Sequence, residues 1–147
     1  MPAERPVYHY AAQLLVHHGL EDGGFTLGAD LSPAPRGDYW VVAVRPRMSF
    51  ELPCQTAIPR TAAVAGWLAT VRPTLAVDEG VGSWRTAAYA EGVDVPVFDV
   101  LVFDVVRFVP TKAAALRLAR ESEQEAVFHP ATGRAVPVWG KPKKEAA

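Results

Sequence analysis

Cysteine is nearly absent: Cys54 stands alone among 147 residues. A single thiol excludes a disulfide framework and any cysteine-based zinc cluster. An excess of one charge is absent too. The chain sets 15 Lys+Arg against 16 Asp+Glu, a formal charge of −1. That excludes a generally basic nucleic-acid binder and a polyanionic mimic of DNA, while leaving room for local patches. No apolar run approaches the roughly 18 residues of a membrane span. The most apolar stretch, residues 95–109, is broken by Asp99, Asp104 and Arg107. The start, Met1-Pro2-Ala3-Glu4-Arg5-Pro6, has no basic region leading into an apolar one, so no secretory signal and no membrane partner are expected. The expected location is the cytoplasm, where a lone thiol stays reduced.

What is present is ordinary globular composition, 50% hydrophobic and 21% charged, at a length that suits one domain. Residues 1–6 read as a flexible N-terminus, 7–139 as the domain, and 140–147 as a flexible basic tail. Val7 to Gly19 has amphipathic spacing at Val7, Ala11, Leu14 and Leu15, with Gly19 as its stop. Residues 23–27 read as a turn entering a strand, 32–38 as a loop, and Tyr39 to Arg45 as a strand ended by Pro46. Pro59 to Val71 reads as a helix burying Val64, Trp67, Leu68 and Val71. Asp78 to Gly82 reads as a polar turn and Ser83 to Tyr89 as a strand.

Residues 95–109 are β-rich but longer than usual strands, so a bend or bulge is expected there. Thr111 is the expected N-cap of a helix over 112–121. Residues 124–129 and 134–139 flank Pro130-Ala131-Thr132-Gly133, a closing hairpin with Gly133 at positive φ. The order implies an α+β domain, a mostly antiparallel sheet packed with about three helices. A strand–strand–helix passage occurs twice, which raises a duplicated unit.

Several of these segments carry a pattern: Gly23-Gly24-Phe25-Thr26, the Pro-rich loop, Gly82-Ser83-Trp84, Val102-Phe103-Asp104-Val105-Val106, the helix from Ala113 to Arg120, Gln124-Glu125-Ala126 and Thr132-Gly133. The pattern resembles a group of small proteins encoded by actinobacterial phages, plasmids and other high-GC genomes. Two departures stand out, Gly-Ser-Trp for the group's Gly-Gly-Trp and a longer connection from Trp84 to Phe103. The resemblance covers roughly residues 5 to 139. It implies a compact fold and a mobile-element origin, and brings no activity with it.

Candidate chemistry is sparse. His9, His17, His18 and His129 form no His-x-x-x-His pair, so neither a metal nor a cofactor is expected. His17 and His18 read as residues near a helix C-terminus, where positive charge suits the dipole. No serine lies in a Gly-x-Ser-x-Gly elbow, and Cys54 reads as a bystander. The carboxylates Asp78, Glu79, Glu91, Asp94, Asp99 and Asp104 face Arg85 alone within 73–106. The first four read as solvated turn residues. Asp99 and Asp104, set among Val and Phe, read as partners of Arg85 and Arg107. Five residues apart on a strand, they fall on opposite faces unless a bulge intervenes.

Basic residues segregate into 36–72 and 107–120. Arg45, Arg47, Arg117 and Arg120, with Trp40 and Trp84, are the candidate binding residues, and Trp139 a further aromatic anchor. The reading that results is a non-catalytic interaction protein, binding another protein or itself through segregated charge and aromatic anchors. A nucleic-acid accessory protein with an arginine-lined face is the alternative. A metal-dependent hydrolase, using Asp99, Asp104 and a third carboxylate, is the second.

Overall fold

A computed structural model describes residues 5–88, 98–124 and 126–138. Glu91, Asp94, Trp139 and the tail 140–147 lie outside the described residues. So do Met1–Glu4, most of the segment expected to be flexible, whereas Arg5 and Pro6 belong to the first helix.

That helix, α1, is Arg5–Asp22, longer than its spacing suggests. Gly19 does not stop it. A Cβ there would sit 2.9 Å from Leu101 Cδ2 and 3.3 Å from Ser83 Oγ, so Gly19 is a close-packing position inside the helix. The chain turns instead at Gly23, φ 87°, where glycine carries no Cβ penalty. The buried face of α1 runs through Ala11, Ala12, Leu15 and Val16. Val7 falls off that face and is exposed, as is Tyr10.

The strands are β1 (Gly24–Gly28), β2 (Trp40–Val44), β3 (Phe50–Pro53), β4 (Glu79–Ala88), β5 (Phe98–Val109), β6 (Ala126–His129) and β7 (Arg134–Pro137). The helix α2 is Arg60–Val71 and α3 is Lys112–Glu121. Every pairing is antiparallel, in the order β1-β4-β5-β2-β6-β7, with β3 beside β5. The elements form one α+β domain. No helix among the described residues is long and apolar enough to cross a membrane.

The long strand β5 has an unbroken register with β4, from Phe98↔Ala88 to Arg107↔Glu79. The expected bulge lies in its other neighbour. Val44 pairs Val105 and Phe50 pairs Phe103, so residues 45–49 span the step that Asp104 alone occupies on β5. Arg45 takes a left-handed conformation, φ 54°, and Pro46–Met48 form a 3-10 turn. Pro46 ends β2 as expected, but the chain then returns to the same edge as β3.

The strand β4 begins at Glu79, within the stretch that read as a polar turn. Gly80 and Gly82 are there because the sheet is tight. A Cβ at Gly80 would lie 2.1 Å from the Leu27 carbonyl oxygen. The two strand–strand–helix passages are not equivalent units: β4 pairs with β5, whereas β1 and β2 lie apart with β4 and β5 between them.

All three helices cover one face of the sheet. Leu101, Phe103 and Val105 of β5 join Val42 and Val44 of β2, Val81 of β4 and Leu27 of β1 in a core. That core also takes Leu15 of α1, Val64 and Leu68 of α2, and Ala115 and Ala119 of α3. Trp67 fixes α2 through its indole N–H, which donates to the Met48 carbonyl at 2.7 Å. Thr111 caps α3, accepting from the Ala114 N–H at 3.2 Å. Gly133 closes the hairpin at φ 70°.

Candidate functional site

The opposite face of the sheet carries no helix among the described residues, yet Val41, Val100, Val106 and Asp104 on it are buried. Curling buries them. Trp84 of β4 and Phe128 of β6 meet edge to face at 5.8 Å, although β5 and β2 lie between their strands. Adjacent strands are about 4.8 Å apart, so a flat sheet would hold β4 and β6 about 14 Å apart. The two outer strands also approach. Phe25 and Thr26 of β1 and Ala135 of β7 line one cleft, with Tyr39, Trp84 and Phe128. Its volume is about 800 Å³.

Glycine makes this concavity. On β1 and β4 the helix-free face presents Gly24, Thr26, Gly28, Gly80, Gly82 and Trp84, by register with β5. The helix face presents Phe25, Leu27, Val81 and Ser83 in the same span. Removing side-chain volume from one face lets that face close on itself. Tyr39 is pinned over the concave side by donating its hydroxyl to the Pro35 carbonyl. It meets Phe108 edge to face at 5.7 Å. Partial burial pushes its phenol above the ordinary tyrosine range.

Asp104 lies on this face, 7% exposed. Among the described residues it pairs with no arginine, against the expectation from sequence. Ser49 Oγ donates to its Oδ1 at 2.5 Å, from the excursion that the interrupted β2–β3 edge makes opposite it. The Trp84 indole supplies a second hydrogen bond. Burial pushes the Asp104 carboxyl above the usual carboxylate range; those two bonds act downward and the Glu51 charge adds upward. Asp104 thus sits against Ser49 and Trp84 at the cleft wall.

Asp99 behaves as expected. Arg85 Nη2 reaches its Oδ2 at 2.7 Å on the exposed surface, and that bond strengthens the hold of Arg85 on its proton. The regular β4–β5 register puts Asp99 and Asp104 on opposite faces. The convergence that a metal-dependent hydrolase requires is therefore not formed by these two. Among the described residues no group of three or more His, Cys, Asp or Glu is placed to hold a metal ion.

Glu79, read from sequence as a solvated turn residue, is fully buried. It accepts from Arg45 Nη2 at 2.5 Å, from Arg107 Nη2 at 3.4 Å and from the Ala76 N–H at 2.9 Å. Arg107 also approaches Asp78 at 3.9 Å. Arg45 bonds Thr74 as well. Its guanidinium is thus turned inward, and the arginine surface imagined for Arg45, Arg47, Arg117 and Arg120 is broken at its first member. Arg47, Arg117 and Arg120 are exposed.

Trp40 is buried and stacks on His129 at 4.3 Å, on the helix side, so it is no surface anchor. His129 is held by Asp38 at 3.0 Å and Thr132 at 3.1 Å. His18 binds Asp22 at 2.6 Å. Cys54 is buried, and burial raises its thiol pKa.

Of the candidate binding residues named from the sequence, then, Trp84 reaches the cleft, and Arg85, read as a partner of Asp99, lines it too. Tyr39, an aromatic within the basic stretch of the sequence, lines it as well, whereas Phe128 and Arg36 were not among the candidate binding residues. A signal for the cleft existed in the alternation of Gly80-Val81-Gly82 and Gly24 through Gly28, glycine on one face and apolar residues on the other. Neither a scan of family models nor searches of curated proteins and of solved structures found a match to this chain.

Proposed function

We propose that this chain is a non-catalytic protein-recognition domain of the bacterial cytoplasm, of phage or mobile-element origin, and that it holds an anchor residue of its partner in the cleft. The observation that carries the reading is the open, aromatic-walled cleft on the sheet face that bears no helix among the described residues. Concave, mainly apolar sites with a few polar groups are where proteins take ligands. Aromatic walls in a recess are where interfaces concentrate their binding energy. The carboxylates that read as catalytic candidates are engaged elsewhere, Asp99 with Arg85 and Glu79 with Arg45 and Arg107.

Peptide display on the immobilised chain tests this. Enrichment of a consensus containing a large apolar or aromatic residue is expected. Binding of the enriched peptide should fall at least about tenfold in Ala135→Gln, which narrows the cleft at an exposed lining position. It should be unchanged in Arg117→Ala on α3. No enrichment, or enrichment indifferent to Ala135→Gln, refutes the reading.

A further inference from the structure

We infer that the cleft selects the C-terminal aromatic residue of a partner chain, with Arg36 receiving its carboxylate. This rests on the proposed reading of the cleft as the recognition site.

The β1 edge of the cleft is closed to a through-running strand. The outer edge of β1 is already occupied along most of its length by the segment that follows it. The Gly28 N–H donates to Ser32 O at 2.8 Å, the Leu31 N–H to Gly28 O at 2.9 Å, and the Ala34 N–H to Thr26 O at 3.0 Å. Leu27 and Pro33 form a bridge. Only the Gly24–Phe25 end of that edge remains, too short for strand addition. A compact group suits the site better than an extended segment. A chain's last residue is compact, since its ring and its carboxylate share one Cα.

The walls choose the ring. Tyr39, Trp84 and Phe128 line the cleft, and Trp84 and Phe128 already meet edge to face. A further flat ring can stack or insert edge-on among them. The cleft volume of about 800 Å³ lies within the roughly 300–1,000 Å³ of ligand sites.

The charges choose the anion. Three ionisable side chains of formal charge line the cleft: Asp22, Arg36 and Arg85. Asp22 is bound by His18. Arg85 is bound to Asp99 and to the Leu20 carbonyl at 2.9 Å. Arg36 is exposed and makes no ion pair among the described residues. One unpaired guanidinium, with its planar fork of donors, matches one carboxylate. A phosphate would call for more cationic or N–H partners than this wall offers.

The experiment titrates the ¹⁵N-labelled full chain with N-acetyl-L-tryptophan and, separately, with N-acetyl-L-tryptophanamide. The readout is the indole N–H resonance of Trp84, assigned through Trp84→Phe. Saturable shifts with both probes are expected, with the anion binding about fivefold tighter, the size of a partly exposed ion pair. Arg36→Gln should equalise the two affinities without altering the rest of the spectrum. Equal affinities in the unmodified chain overturn the charge inference and leave the cleft reading standing. A preference for the anion that survives Arg36→Gln overturns the role of Arg36. No saturable Trp84 shift with either probe overturns both the inference and the cleft reading.

Discussion

Removing the Glu79 carboxylate should destabilise the chain far more than removing the Asp99 carboxylate, although both are strand residues paired with arginine. Glu79 has no exposed surface. It accepts hydrogen bonds from Arg45, Arg107 and the Ala76 N–H. In Glu79→Ala two guanidiniums and a backbone donor lose their acceptor together. Breaking a buried pair costs about 3–5 kcal/mol. Arg45 and Arg107 keep 32% and 38% side-chain exposure, so water replaces part of what they lose. The expected cost is about 3 kcal/mol at neutral pH. For a chain of this size each kcal/mol lowers Tm by about 2–4 °C, so a fall of about 6–12 °C should follow. Glu79→Gln keeps an acceptor and the shape, and should fall between Glu79→Ala and the unmodified chain. The Arg85–Asp99 pair is 41% and 45% exposed, and exposed pairs contribute little. Urea denaturation followed by tryptophan fluorescence gives the midpoint and slope for each variant. Equal losses in Glu79→Ala and Asp99→Ala would refute the argument, because burial would then carry no weight in this network.

Asp104 gives a pH signature. Its folded pKa is raised by burial, so its favourable contribution is complete below the ordinary carboxylate pKa and is lost as pH rises through the folded value. Asp104→Asn should therefore gain stability relative to the unmodified chain between pH 4 and pH 7; a difference that is flat or falling with pH, measured by denaturation at each pH, counts against it. Two glycines should respond in opposite directions to alanine. Gly80→Ala meets a backbone oxygen at 2.1 Å and should cost about 3 kcal/mol or more. Gly66→Ala meets nothing within 4 Å, lies in the middle of α2, and should gain about 0.5–1 kcal/mol. Cys54 is buried with a raised thiol pKa, so its labelling by an aromatic disulfide reagent should track unfolding; rapid labelling of the native chain would contradict its placement.

Local grammar was legible in the sequence where the cause was local. Thr111 caps α3 because its hydroxyl lies within reach of the next turn. Gly133 turns the hairpin because the turn demands positive φ. The β-branched run of β2 forms a strand, and the alanines of α2 a helix. Gly19, Glu79 and Trp40 misled because their roles are set by distant chain. Gly19 is small for the sake of Leu101 and Ser83. Glu79 follows Asp78 in a stretch that looks solvated, yet Arg45, just past the end of β2, and Arg107 of β5 arrive to pair with it where it is buried. Trp40 is stacked by His129 of β6. No periodicity along the chain announces such partners.

Charge segregation is the clearest case of a sequence pattern that folding undoes. The acidic stretch 73–106 looked like one half of a polarised surface. Its described members are claimed one by one: Glu79 and Asp78 by Arg107, Glu79 also by Arg45, Asp99 by Arg85. Asp104 is withdrawn onto Ser49 and Trp84. These are largely cross-strand or cross-element contacts, and Arg45 and Arg107 reach Glu79 from the two basic stretches, 36–72 and 107–120. Among the described charged residues that line the cleft, Arg36 has no ion pair; it belongs to the Pro-rich loop, with no helical or strand periodicity to mark it. The recognition proposed for this chain therefore rests on the one-sided loss of side-chain volume on β1 and β4, which curls the sheet, and on the Pro-rich loop that shares the cleft with Trp84 and Phe128.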